Sequence, residues 1–157
     1  MKRTIVNGIP FKMKLLPGAN PLEEKFINYI MLDGKKSTAR EIFAQMLEEL
    51  KKLGAKEAHE SFALAIENAS PSMEVRPKRV GGAVYQVPIE VSANRQRILA
   101  MRWIIDAARS AKGRPIHQKL ASLIFETAKN EGPAVKKKDD AHRMAAANKA
   151  FAHFARY

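Results

Sequence analysis

The chain has 157 residues, 46% of them apolar and 28% charged, which suits one ordinary hydrophobic core and is too apolar for a disordered or collagenous chain. It contains no cysteine, which excludes disulfides, thiolate metal sites and thiol nucleophiles, and it shows no apolar run of membrane-spanning length and no secretory signal. Twenty-eight lysines and arginines against 16 acids leave a net charge of +12, an excess that calls for a polyanionic partner.

Residues 1 to 19 carry Lys2, Arg3, Lys12 and Lys14 with no acid, and Gly8, Pro10, Pro17 and Gly18 punctuate them. This spacing breaks the amphipathic helix of an organelle presequence, so the segment reads as an extended basic arm. The remainder, 20 to 157, reads as a single helical domain. Leu22, Phe26, Tyr29 and Ile30 make the apolar stripe of a first helix, which Asp33-Gly34 ends. Thr38 and Glu41 have the spacing of a capping box at the start of a second, with Ile42, Met46, Leu50 and Leu53 as its stripe and Gly54 as its stop. Ala58, Phe62, Ala65, Ile66 and Ala69 form the third, closed by Ser70-Pro71.

Between about 73 and 91 the periodicity changes from helical to alternating, and Gly81-Gly82 supplies the two positive-φ positions of a tight hairpin turn. Pro77 and Pro88 fit strands with a free outer edge, as in a two-stranded ribbon projecting from the body. With the turn centred on the glycines, Val80 faces Ala83, Lys78 faces Tyr85 and Arg76 faces Val87. Basic side chains and an aromatic ring then share one face, able to meet phosphate and stack on an unpaired base. A fourth helix from Ala93 to about Arg109 is apolar on most sides through Ile98, Met101, Trp103, Ile104 and Ile105, and is expected to be central with Trp103 in the core. Lys112-Gly113-Arg114 is a basic turn, Pro115 opens a fifth helix buried through Ile116, Leu120, Leu123 and Ile124, and Gly132-Pro133 breaks it. The last segment is alanine-rich and starts with Lys136, Lys137 and Lys138.

The charge is concentrated in the middle of the chain. Residues 76 to 114 carry Arg76, Lys78, Arg79, Arg95, Arg97, Arg102, Arg109, Lys112 and Arg114 against only Glu90 and Asp106. The arginine fork suits phosphate and stacks on bases, so the bias favours nucleic acid over a merely solvated face. Catalytic constellations are not assembled. Gly34-Lys35-Lys36-Ser37 lacks the glycine spacing of a phosphate-binding P-loop. Asp139, Asp140 and His142 could hold a divalent metal as a nuclease would, but aspartates that stabilise the start of a helix account for them without one. A DNA-bending architectural protein would also combine helices with a basic β-arm, yet Gly81-Gly82 leaves no apolar wedge at the tip. The expectation is a binding protein without cofactor, metal or enzymatic activity.

Four separated motifs then carry a resemblance: 20 to 36, ending MLDGKK; VGGAVYQVPIEV at 80 to 91; LAMRW at 99 to 103; and GPAVKKKDDAHRMAAANKAFAHF at 132 to 154. Together they closely resemble the small-subunit ribosomal protein S-seven family of bacteria and organelles, over nearly the whole chain. The resemblance implies a mainly α-helical domain of about six helices with a protruding β-hairpin, a structural constituent of the small ribosomal subunit. It implies a primary binder of the 3′ major domain of small-subunit rRNA that organises head assembly. The hairpin and C-terminal helix would lie near exit-site tRNA and mRNA, beside other proteins of head and platform, with no membrane and no homo-oligomer. Its location would be the ribosome of a bacterial cytoplasm, plastid or mitochondrion. The RNA-binding candidates are Lys2 and Arg3 in the arm, Lys35 and Lys36, the hairpin residues Arg76, Lys78, Arg79, Gly81, Gly82 and Tyr85, then Arg95, Arg97, Arg102, Arg109 and Arg114, and finally Lys136, Lys137, Lys138, Arg143 and Lys149. Ser92 and Gln96 stand where the family pattern has arginines, and Met46 where it has a small residue.

Overall fold

The computed structural model describes Ile5–Val6, Ile9–Pro10 and residues 20–156. Strands β1 (Ile5–Val6) and β2 (Ile9–Pro10) pair antiparallel; the candidates Lys2 and Arg3 lie outside the described residues. Six α-helices, a second antiparallel pair and a closing 3-10 helix follow.

Helix α1 (Pro21–Ile30) starts where the sequence signals it should. The Asn20 side chain accepts the Leu22 backbone N–H at 3.0 Å, Pro21 occupies the first turn, and Glu23 and Glu24 complement the helix dipole. Asp33 and Gly34, both at positive φ, turn the chain into α2 (Lys36–Lys52). The expected capping box does not form. The Leu32 and Gly34 carbonyls accept the Lys35 and Lys36 N–H groups, so the turn itself starts the helix two residues before Thr38, with Lys35 as an N-cap whose side chain bonds nothing there. The buried stripe differs as well. Ala39, Phe43, Met46 and Leu50 are buried, whereas Leu53 is exposed past the helix end.

Helix α3 (Ala58–Asn68) buries the expected face. Phe26, Phe43 and Phe62, one from each of the first three helices, meet edge-to-face with ring centroids 5.0 to 6.1 Å apart, an arrangement that suits the ring quadrupoles. Against this cluster lie α4 (Ala93–Ser110), through Ala100, Met101, Ile104, Ile105 and Ala108, and α5 (Ile116–Ala128), through Leu120, Ala121 and Ile124. Both helices share the centre: α4 touches α1, α3, α5 and α6, and α5 touches α2, α3, α4 and α6 (Pro133–Ala147). Trp103 is only half-buried, because α4 turns one face inward and leaves Arg102 and Asp106 in solvent. Met46 is fully buried within the core, so the larger residue there is accommodated by packing.

Strands β3 (Met73–Val80) and β4 (Ala83–Glu90) pair in the expected register, with Val80 opposite Ala83, Lys78 opposite Tyr85 and Arg76 opposite Val87. Gly81 and Gly82 have φ of 57° and 91°, the left-handed pair a two-residue turn needs. The ribbon does not stand free. Its strands lie on α6, and β4 also carries the 3-10 helix Lys149–Arg156.

Below the surface near α1 sits a carboxylate that the charge pattern did not single out. Glu24 is 4% exposed and meets the Lys36 ammonium at 2.8 Å and the Arg40 guanidinium at 3.0 Å. The hydrogen bond from Lys36 holds its carboxyl below the ordinary value, against the opposing cost of burial and with help from Arg40. A lowered folded pKa means that this contribution to stability is complete above the ordinary carboxylate range and declines as pH falls through the lower folded value. In Glu24→Gln the acid-side loss should shrink, and stability at neutral pH should drop by ~1–3 kcal/mol because two cations lose their partner. Urea unfolding at pH 7 and pH 3 measures both effects.

Candidate nucleic-acid interface

The basic candidates divide according to what holds them. Several are engaged within the chain. Lys36 belongs to Glu24. Arg76 and Arg95 converge on Glu74, the first through Nε at 2.7 Å and the second at 3.4 Å, and this tie fixes the base of the hairpin to the start of α4. Lys78 donates to the Phe154 carbonyl at 3.0 Å, and Lys138 to the Asn68 carbonyl at 2.6 Å. The Arg109 guanidinium donates to the Tyr29 and Ile30 carbonyls at the end of α1, and Arg102 lies over the Tyr29 ring at 5.6 Å. Arg143 pairs with Asp140 one turn away at 2.6 Å.

The remainder are exposed and have no carboxylate partner among the described residues: Lys35, Arg79, Arg97, Arg114, Lys136, Lys137 and Lys149. Most of them stand at helix starts. Lys35 is the N-cap of α2, Arg97 follows the first turn of α4, Arg114 precedes the Pro115 N-cap of α5, and Lys136 and Lys137 lie in the opening turns of α6. None of these four helices has an acidic residue in its first turn, and none has a side-chain cap. α1, by contrast, has both. A cation at a helix N-terminus opposes the dipole, at about 0.3–1 kcal/mol, so Lys35 at the N-cap of α2 and Arg114 just before that of α5 lower stability until an anion binds. Exposed N–H groups with lysine or arginine beside them suit phosphate oxygens.

The ribbon corrects one expectation. Its register is as read from the sequence, but the Lys78–Tyr85 face does not await a base. Tyr85 lies against Phe151 and Phe154, with centroids 5.3 and 5.0 Å away, while Val87 on the same face is buried. Two phenylalanines three residues apart in the 3-10 helix supply the ring partners that the marginal hairpin needs. Alternation then places Arg79 with Val84 and Pro77 with Gln86 on the opposite face, where all four are exposed around the Gly81-Gly82 tip.

Asp139, Asp140 and His142 do not assemble. Both aspartates lie beyond the first turn of α6, so the capping role fails as well, since the helix starts at Pro133 rather than at the lysine run. Asp140 pairs with Arg143, and His142 Nε2 accepts the Ser72 backbone N–H at 3.0 Å, which pins α6 to the entry of the hairpin. Gln96, in place of a cation, donates to the Val91 carbonyl at 2.9 Å and braces the other end of the hairpin. Lys25 escaped the sequence reading; it faces Arg97 across a small cleft between α1 and α4, and its only signal was a cation one turn before Tyr29.

Comparison with known proteins places these features in one lineage. The family model described as ribosomal protein S7p/S5e matches residues 2–149. Curated relatives named small ribosomal subunit protein uS7 from Thermotoga petrophila, Thermosipho africanus and Fervidobacterium nodosum are 52%, 53% and 50% identical over 133 residues, covering 85% of this chain and 86% of theirs. A mainly helical body with unpaired cations at its helix starts, and a match of this length, leave one conclusion: the chain belongs to the ribosomal protein S7p/S5e family, whose members are structural ribosomal proteins and not enzymes.

Proposed function

We propose that the protein binds small-subunit rRNA as a primary binder of the 3′ major domain and organises assembly of the subunit head. The observation that carries this reading is the row of exposed cations, without carboxylate partners among the described residues, at the starts of α2, α4, α5 and α6. Single-sign charge at several helix ends of one rigid body suits a folded polyanion that presents phosphates from more than one strand. The exposed hairpin tip and the C-terminal segment docked on it form a second region, suited to exit-site tRNA and mRNA and to neighbouring proteins of head and platform. The Gly81-Gly82 tip lacks a side chain to obstruct entry between RNA strands. The named relatives are bacterial, which supports a bacterial ribosome as its location.

The test is binding of the purified protein to a 3′-major-domain rRNA fragment and to duplex DNA of equal length across salt concentrations. The rRNA fragment should bind more tightly at every salt. Its log Kd should rise linearly with log salt, with a slope of roughly 0.7–0.9 per phosphate contacted. Equal affinity for duplex DNA would favour an architectural DNA binder, and salt-independent affinity would remove the electrostatic account.

A further inference from the structure

We propose that an apolar pocket walled by α1, α2, α4 and α5, beside the α1–α2 and α4–α5 loops, holds one unpaired nucleobase of the bound RNA, an inference that rests on the RNA-binding reading and adds a base site to it. The pocket has a volume of about 300 Å³. Ile105, Ala108 and Leu120 form its buried floor, Ile42 and Ile116 are half-buried at its sides, and Leu32 stands at its lip, 62% exposed. A second hollow of about 230 Å³ shares Leu32 and Ile42 and leads to Lys35.

Charge tells what the pocket can take. Its two cationic side chains are turned to backbone: Arg109 donates to the Tyr29 and Ile30 carbonyls, and Lys119 to the Ala111 carbonyl at 2.5 Å. These partners are neutral, and neither cation has a carboxylate partner among the described residues. Lys35 on one loop and Lys112 and Arg114 on the other are exposed and add three more, and among the described residues the one carboxylate lining the hollow is Asp33. An aliphatic slot between two cationic loops is complementary to a nucleotide. The faces of the base fill the slot, its polar edge stays at the open mouth, and the phosphates before and after it meet the two loops. An acidic segment with an apolar anchor would meet the same charges. The base is favoured because the cations flank the slot on both loops and continue the helix starts at Lys35 and Arg114, along which a nucleic-acid strand would run.

The test uses the full chain and a 3′-major-domain rRNA fragment. Leu32→Asn leaves the charge unchanged and alters an exposed side chain, so folding is not at stake. It should weaken binding ~5–20-fold at every salt with the salt slope unchanged, because an apolar base contact is lost and no phosphate contact is. Leu32→Met should retain affinity. Single abasic nucleotides placed through the unpaired positions of the fragment should reveal one position that costs the wild-type protein the same factor and costs Leu32→Asn nothing further. Unchanged affinity for Leu32→Asn, or abasic losses that simply add to it at every position, overturns the base site while the RNA-binding reading stands. Normal RNA affinity with failure to enter a subunit reconstituted with the other small-subunit proteins makes the pocket a protein dock and likewise overturns it. If the wild-type protein does not bind the fragment at all, the RNA-binding reading falls and the base site with it.

Discussion

Phe62→Ala is expected to destabilise the protein by ~3–5 kcal/mol. Phe62 is fully buried and makes edge-to-face contacts with both Phe26 and Phe43, at 5.0 and 5.5 Å, so its loss opens a cavity where α1, α2 and α3 meet. Two aromatic pairs, each worth about 0.5–1.5 kcal/mol beyond burial, disappear together. Near the melting midpoint, 1 kcal/mol corresponds to roughly 2–4 °C for a chain of this size, so thermal unfolding should shift down by about 10 °C. Trp103→Ala should cost less although the ring is larger, since Trp103 is half-buried and part of its area already meets solvent. Denaturant titration of both variants gives the order. A larger loss at Trp103 would mean that α4, rather than the phenylalanine cluster, dominates the core. Below its new midpoint Phe62→Ala should keep the wild-type salt slope, because no cation has changed.

The helices were legible wherever one face alone had to be buried. The stripe of α3 was read residue for residue, because Ala58, Phe62, Ala65 and Ile66 leave little choice of face. In α2 the stripe read through Ile42 and Leu53 gives way to Ala39 and Phe43 beside Met46 and Leu50, because Leu53 falls past the helix end and lies in solvent. A tertiary turn overrode the local capping signal at Thr38. The hairpin register followed from its glycines, but the choice of covered face did not, since Phe151 and Phe154 lie more than 60 residues away in sequence from Tyr85. The same limit applied to the cations. Composition located the positive region, yet whether a lysine faces solvent or a carboxylate depends on long-range contacts such as Glu24 with Lys36 and Glu74 with Arg95. Lys35 and Lys36, adjacent in one motif, thereby have different roles: one opens a helix in solvent and the other neutralises a buried acid.

Replacing Arg97, Arg114 and Lys137 together by glutamine should reduce rRNA affinity by on the order of a hundredfold at 0.1 M salt and flatten the salt dependence by roughly 2–3 units. The three lie at the starts of α4, α5 and α6, they are exposed, and they have no carboxylate partner among the described residues. Their charge is therefore available to phosphate without first breaking a bond within the protein. Removing it should leave the fold intact, since no carboxylate among the described residues holds any of the three, and at Arg114, just before the N-cap of α5, it should raise stability by a few tenths of a kcal/mol because a cation there opposes the dipole. Loss of binding with equal or greater stability would be the signature of residues kept for a ligand rather than for the fold. Arg76, Arg143 and Lys36 provide the contrast. Each is held by a carboxylate, at Glu74, Asp140 and Glu24. Phosphate would have to compete with that partner, and the net gain from exchanging one anion for another is small. Their triple glutamine variant should change the salt slope by less than about one unit and should lose stability, chiefly through Lys36. Arg95 and Arg102 belong with this second group, since Glu74 and the Tyr29 ring already engage them, so Arg97 should carry most of the binding contributed by α4. Measuring Kd across a salt series, together with denaturant unfolding of the same preparations, tests each half. Equal slopes for the two triple variants would mean that the intramolecular pairs open on binding, and that pairing in the free protein does not determine which cations meet RNA.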